Sequence, residues 1–324
     1  MKNKNLIIYG SLSLIIILWI ASWITVDRIY PEDSKEYLSD RGTFGDKFGF
    51  INSLFSGLAL TGIIISIYFQ QYELSLQRDE LKQTRKEFKN QNFQTTFFNL
   101  LKTQRQIAEE IDCHIWNLKS YNQEESKHII GRSFFNISKS ELFRIIKALK
   151  YKTYGKYSIW DFEQEYDYSP KSEWEADDLT ETRKIYYTFY IYNISKDIFE
   201  DSKSKNENQI ASLAFDIFFN KFHYVIGHYF RHLYHILNFL ESYENELVID
   251  ESNDENSINN FANFIQAQMS TPEMFLLYYN CYRFPKLKRL IIKFNILENL
   301  NIQDLISIEH KIEKINLKSR KIII

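Results

Sequence analysis

Two uncharged runs near the amino terminus constrain this chain more than any other feature. Residues 6–26, "LIIYGSLSLIIILWIASWITV", and residues 48–69, "FGFINSLFSGLALTGIIISIYF", extend over 21 and 22 positions without a charged side chain. A helix rising 1.5 Å per residue needs about 20 residues to cross about 30 Å of hydrocarbon, so both runs predict transmembrane helices. The first is longer than the roughly 7–15-residue apolar core of a cleaved signal peptide, and no small-x-small cleavage site follows it. In the second, Gly49, Asn52, Ser53, Ser56 and Gly57 share one helical face. That stripe of small and polar residues predicts close packing on the first run, which makes the pair a hairpin. Neither run holds an ionisable residue of the kind that marks an ion pathway, so a pore would need a charge or an oligomer.

Orientation follows from the flanks. Lys2 and Lys4 precede the first run, and Arg78, Lys82, Arg85, Lys86 and Lys89 follow the second, whereas the segment 27–47 between them is net acidic. Because basic flanks stay in the cytoplasm, both termini are expected there and residues 27–47 outside. The expected organisation is a transmembrane hairpin over residues 1–69, with spans 6–26 and 48–69 and an external loop 27–47. A long helix or stalk over 70–118 and a cytosolic all-α domain over 119–324 complete it.

The body reads as mainly α. Only 9 glycines and 4 prolines interrupt 324 residues, and alternating strand patterns are sparse. Residues 70–118 contain neither Gly nor Pro, and Leu74, Leu81 and Phe88 recur at heptad spacing, which predicts one helix continuing from the second run. Further helices are expected over 138–151, opened by a capping box in "SKSE", over 178–199, over 208–243, and from Ser270 or Thr271 with Pro272 in the first turn. The polar stretches 161–178, 201–209 and 244–257 read as loops, and the tail from residue 310 as an exposed helix end.

With 44% apolar residues the chain can bury a sizeable core. Its 40 basic and 42 acidic residues leave a net charge of -2, which removes the strongest argument for a nucleic-acid footprint. Cys113 and Cys281 sit in no metal or redox spacing and are expected to be reduced and buried.

The densest chemistry lies in "GHYFRHLYHIL", residues 227–237. Ile226, Phe230, Leu233, Leu237 and Leu240 form a helical seam that predicts a core-facing side. His228, His232 and His235 fall on the opposite side with Arg231 near their edge. Histidines at i and i+4 can share a metal, but no metal, phosphate-loop or serine-elbow signature is present, and Arg231 lies closer to His235 than the arginine-to-histidine spacing of HEPN-type ribonucleases. The candidate site residues are His228, Arg231 and Tyr229, with no metal or cofactor expected. His228 as general base and Arg231 as phosphate clamp would suffice for phosphodiester cleavage.

The blocks "FGDKFGFINSLFSGLALTGIIISIYFQQYEL", "ELKQTRKEF", "FFNLLK", "GRSFF", "GHYFRHLYHIL" and "QAQMSTPEMFLLYYN", in this order, resemble the phage abortive infection proteins of AbiC-like type. The resemblance runs over residues 45–280. Gly227, His228, Tyr229, Phe230, Arg231, Leu233 and Tyr234 follow the family pattern, whereas Gln266 stands where that pattern has an arginine. The resemblance implies antiphage defence by an effector or sensor anchored in the bacterial inner membrane, which arrests infected cells. Its expected partners are the lipid bilayer and a phage-derived trigger, with homo-oligomers through the transmembrane and stalk helices. The alternative is a membrane-tethered ribonuclease-type toxin using His228 and Arg231, the one reading in which nucleic acid is a partner.

Overall fold

In the computed structural model the described residues are 37–120, 123–156, 173–249, 255–319 and a few positions between 13 and 28. They are mainly helical, as expected, and fall into two units, Met1–Glu87 and Phe88–Ile324.

Helix α1, Tyr37–Glu109, has 73 residues and contributes to both units. The expected external loop 27–47 is therefore helical from Tyr37 onward. No proline lies in α1, and an interior glycine such as Gly42 or Gly45 costs a helix only about 1 kcal/mol, too little to halt propagation. Among the described residues no helix is long and apolar enough to cross a membrane, so the fold does not support the transmembrane hairpin. Most of residues 6–26 lie outside the described residues, and within 48–69 the polar Asn52, Ser53 and Ser56 dilute the apolar run before Leu58. Beyond them Ile63, Ile64, Ile65, Ile67, Tyr68 and Phe69 are exposed on every side of α1, and so are Leu74, Leu81 and Phe88 at the heptad positions.

The second unit starts where α1 acquires a seam. Phe93, Phe97, Leu101 and Ala108 are buried at helical spacing, with Phe93 stacked on Tyr243 and Phe97 edge-on to Phe261. The helix stops at Glu109 rather than continuing to residue 118. Strand β1, Asp112–Ser120, follows and pairs antiparallel with β2, Gln123–Ile130, in the register Asp112↔Ile130 and His114↔His128. Ile111, Cys113 and Ile115 are buried while Asp112, His114 and Trp116 are exposed, a period-two pattern that suits a strand with one face on the core. Gly131 leaves the hairpin at φ +61°, and a Cβ there would sit 3.3 Å from the Glu109 carbonyl oxygen, which is why glycine fits.

Helix α2, Ser133–Leu149, starts five residues before the expected "SKSE" cap. Ser138 lies inside it and donates to the Phe134 carbonyl, and Glu141 accepts from Tyr192 and Arg144 instead of capping. Helix α3, Glu173–Ile191, ends before Asn193, which takes φ 49°, and α4, Lys196–Ser202, is capped by Ser195. The sequence predicts one helix over 178–199; the left-handed turn at Asn193 divides it.

Helix α5, Glu207–Ile249, is the 43-residue axis of the unit and packs on α2, on α6 (Glu255–Gln268), on α7 (Thr271–Asn280) and on α8 (Pro285–Lys293). Its ends reach into two stretches expected as loops. Ser270 caps α7 in a complete capping box with Glu273, and Pro272 occupies the first turn, as expected. The tail is not a helix end. After a short 3-10 turn at Ile302–Asp304 it runs irregularly to residue 319, with His310 and Ile312 buried and the Tyr278 hydroxyl donating to the His310 carbonyl. Cys113 and Cys281 are free and buried, and burial pushes their thiols up to about 11 and about 12.

One ion cluster ties α8 to α5. Arg289 holds Glu241 with Nη1 at 2.6 Å and Nη2 at 2.7 Å, and Lys293 Nζ adds a contact at 2.9 Å. Arg289 first and Lys293 second lower the Glu241 carboxyl from 4.5 to about 2. A depressed carboxylate stabilises the fold above its unfolded pKa and loses that contribution as pH falls through the folded one. Glu241→Gln should therefore cost about 1 kcal/mol at neutral pH, a modest figure because solvent reaches Arg289. Urea melts should show the gap closing between pH 4.5 and about 2; a gap unchanged over that window would show that Glu241 is not held this way.

Candidate functional site

Helix α5 presents two different surfaces through the "GHYFRHLYHIL" stretch. The expected seam is real: Ile226, Phe230, Leu233, Leu237 and Leu240 are all buried. Tyr229, at 1% exposure, and Ile236 widen it toward α1 and α7.

On that inner side lies a closed polar cluster. Glu273, whose side chain is only 2% exposed, accepts from the Tyr229 hydroxyl at 3.2 Å and from the Ser270 backbone N–H and hydroxyl at 2.7 Å each. Arg132 places Nη1 3.8 Å from Glu273 and donates through Nη2 to the Gln268 carbonyl at 3.3 Å. Gln104 of α1 donates to the Tyr229 carbonyl at 3.3 Å, and its own carbonyl oxygen accepts from His232 Nδ1 at 2.8 Å. Burial first and the Glu273 carboxylate second push the Tyr229 hydroxyl well above its ordinary range, so it stays protonated and donates. Burial, then His228 and His235, lower the His232 imidazole, which suits a neutral ring donating to Gln104. The adjoining void, about 10 Å³, has room for a single water at most. These contacts tie α1, α5 and α7 to the start of α2, and the void beside them is too small for a substrate.

The outer side is different. Between α5 and the start of α8 lies a groove of about 380 Å³. Phe219, Phe230 and Tyr234 of α5 form its floor with Phe284, and Gly227 leaves the helix surface low between them. Arg231 and Lys286 supply its cations, and no carboxylate lines it. His223 joins the lining and donates through Nδ1 to the Asn220 carbonyl at 3.0 Å. Arg283 lies over the Phe219 ring at 4.9 Å while its Nη1 is 2.9 Å from Asp216, so it braces the aromatic floor from behind.

The three candidate residues therefore part company. Tyr229 is in the buried cluster, Arg231 lines the groove, and His228 is exposed but outside the groove lining. His228, His232 and His235 do not gather: among the described residues no group of three or more His, Cys, Asp or Glu is placed to hold a metal ion. Sequence reasoning missed Gln104, Arg132 and Glu273 in the cluster and Phe284 and Lys286 in the groove. A signal existed for the first three, because "FFNLLK" lies just before Gln104, "GRSFF" holds Arg132 and "STPEMF" holds Glu273; for Phe284 and Lys286 there was none. Gln266 is buried, donates to the Asn295 carbonyl and accepts from Asn299, both at 2.9 Å. An amide can do both, whereas the arginine of the family pattern could only donate.

Residues 221–305 match the model of a family described as "putative phage abortive infection protein". The matched segment includes Tyr229, His232, Ser270 and Glu273 of the cluster and nearly all of the groove, while Gln104, Arg132 and Phe219 lie outside it. The match covers less than half of the chain, and the amino-terminal blocks of the resemblance precede it. No curated protein and no solved structure matches the chain.

Proposed function

We propose that this protein is an effector or sensor of bacterial antiphage defence that works at the inner membrane, where it responds to a phage product and arrests the infected cell. The match of residues 221–305 to an abortive-infection family carries the defence part. The membrane part is supported by apolar side chains exposed all round α1 from Leu58 to Phe69, and by exposed Ile16, Ile17, Leu18, Trp19 and Ile20. Water disfavours so large an exposed apolar surface, whereas lipid or packed partner helices cover it. Thr61 and Thr25 direct their hydroxyls back to the Gly57 and Ala21 carbonyls at 2.8 and 2.6 Å, so neither needs water as a partner.

Expression of the full chain in a phage-sensitive host should lower plaque number and stop growth of infected cultures before progeny are released. The protein should sediment with membranes and resist carbonate but not detergent. Absence of protection across a broad phage panel would sink the defence reading, and protection by a protein found only in the soluble fraction would sink the membrane reading. Because His228 lies outside the groove, His228→Ala should retain protection. Its loss at unchanged protein level, together with cleaved RNA in infected cells, would favour the ribonuclease-type toxin using His228 and Arg231.

A further inference from the structure

We propose that the groove between α5 and the start of α8 binds a nucleotide, with the base against its aromatic floor and the phosphate between Arg231 and Lys286. The two halves of the groove ask for the two halves of such a molecule. Phe219, Tyr234 and Phe284 bring three part-exposed rings to one depression beside the buried Phe230, and an aromatic floor of this kind stacks any planar heterocycle. Phe219 and Phe284 lie edge to face at 5.1 Å between centroids, with Arg283 over both rings, so this end of the floor is already rigid. The volume of about 380 Å³ falls within the range of small-molecule sites.

Charge selects the other half. Arg231 and Lys286 are both exposed, and among the described residues neither has a hydrogen-bond or ion-pair partner. By contrast Arg283, Arg289 and Lys293 close by are each neutralised by a carboxylate, from Asp216, Glu241 and Glu244. Leaving two cations unpaired beside a groove without carboxylates sets a positive potential where a phosphate would sit. Lys286 lies in the first turn of α8, whose N-cap Phe284 gives no side-chain cap, so the positive end of the helix adds to the same field. An inorganic phosphate would leave the rings unused, and a nucleoside would leave the cations unused.

The test is a titration of the purified full-length protein with mant-ATP, followed by competition with AMP, GMP, adenosine and inorganic phosphate. Saturable binding is expected, displaced by AMP and GMP at far lower concentrations than by adenosine or phosphate. Arg231→Glu and Lys286→Glu should each weaken binding by about tenfold or more, the worth of one charge-assisted contact to phosphate, without changing the melting temperature. Phe284→Ala should weaken AMP while leaving phosphate competition unchanged. The proposal is overturned if mant-ATP does not bind saturably, if both charge reversals bind as the parent does, or if adenosine competes as well as AMP. A peptide of alternating Glu and Tyr that displaces mant-ATP better than AMP would assign the groove to a protein partner instead. Purified protein reads out the groove alone: binding without phage protection would keep this site and remove only the defence reading.

Discussion

Glu273→Ala should lower the unfolding free energy by about 2–4 kcal/mol, the combined cost of an orphaned buried hydroxyl and a lost helix cap. The substitution strips the Tyr229 hydroxyl, which is fully buried, of its acceptor and takes away the reciprocal half of the α7 capping box. An orphaned buried hydroxyl costs about 1–3 kcal/mol and a lost cap about 1 kcal/mol. Glu273→Gln keeps shape and one acceptor oxygen, so its cost should be nearer 1–2 kcal/mol, about that of a single exchanged hydrogen bond. Urea melts of parent and both variants, with equal slopes, measure this. A loss for Glu273→Ala below that of Glu273→Gln would show that the cluster does not act as a connected unit.

Phe97→Ala should cost about 3–5 kcal/mol, the range for truncating a buried aromatic. Phe97 is fully buried in an aromatic stack that includes Phe93 at 5.9 Å and Phe261 at 5.0 Å, joining the end of α1 to α6. Its neighbour Phe98 is 46% exposed and meets Phe97 and Phe264 edge-on. Phe98→Ala should therefore cost about 1 kcal/mol or less. The contrast is the informative part, because both residues have the same composition and local propensity. Equal losses at the two positions would show that the packing of α1 on α6 is not as described.

The features legible in the chain were those written in a repeating period. The seam Ile226, Phe230, Leu233, Leu237 and Leu240 could be placed on the core because a helix turns every 3.6 residues, and Ser270 or Thr271 with Pro272 could be assigned to a helix start because the four orphan N–H groups there favour such residues. The β1–β2 hairpin was written too, in the alternation of Ile111, Cys113 and Ile115, but the long Gly- and Pro-free stretch before it favoured one unbroken helix. "SKSE" failed for the opposite reason. The pattern is local, and Glu141 is drawn instead to Tyr192 and Arg144.

Sequence alone determined that this chain is mainly helical, that α5 has a core-facing side, and that its blocks resemble an abortive-infection family, because all three depend on near neighbours or on order along the chain. Only the tertiary structure decided that Tyr229, Arg231 and His228 go to three different environments. Adjacent residues on a helix are turned about 100° apart, so whether each meets a buried carboxylate, an aromatic groove or solvent is set by elements far away in sequence. Glu273 lies 44 residues from Tyr229, and Phe284 and Lys286 reach the groove from a separate helix start, positions that no spacing within α5 could disclose.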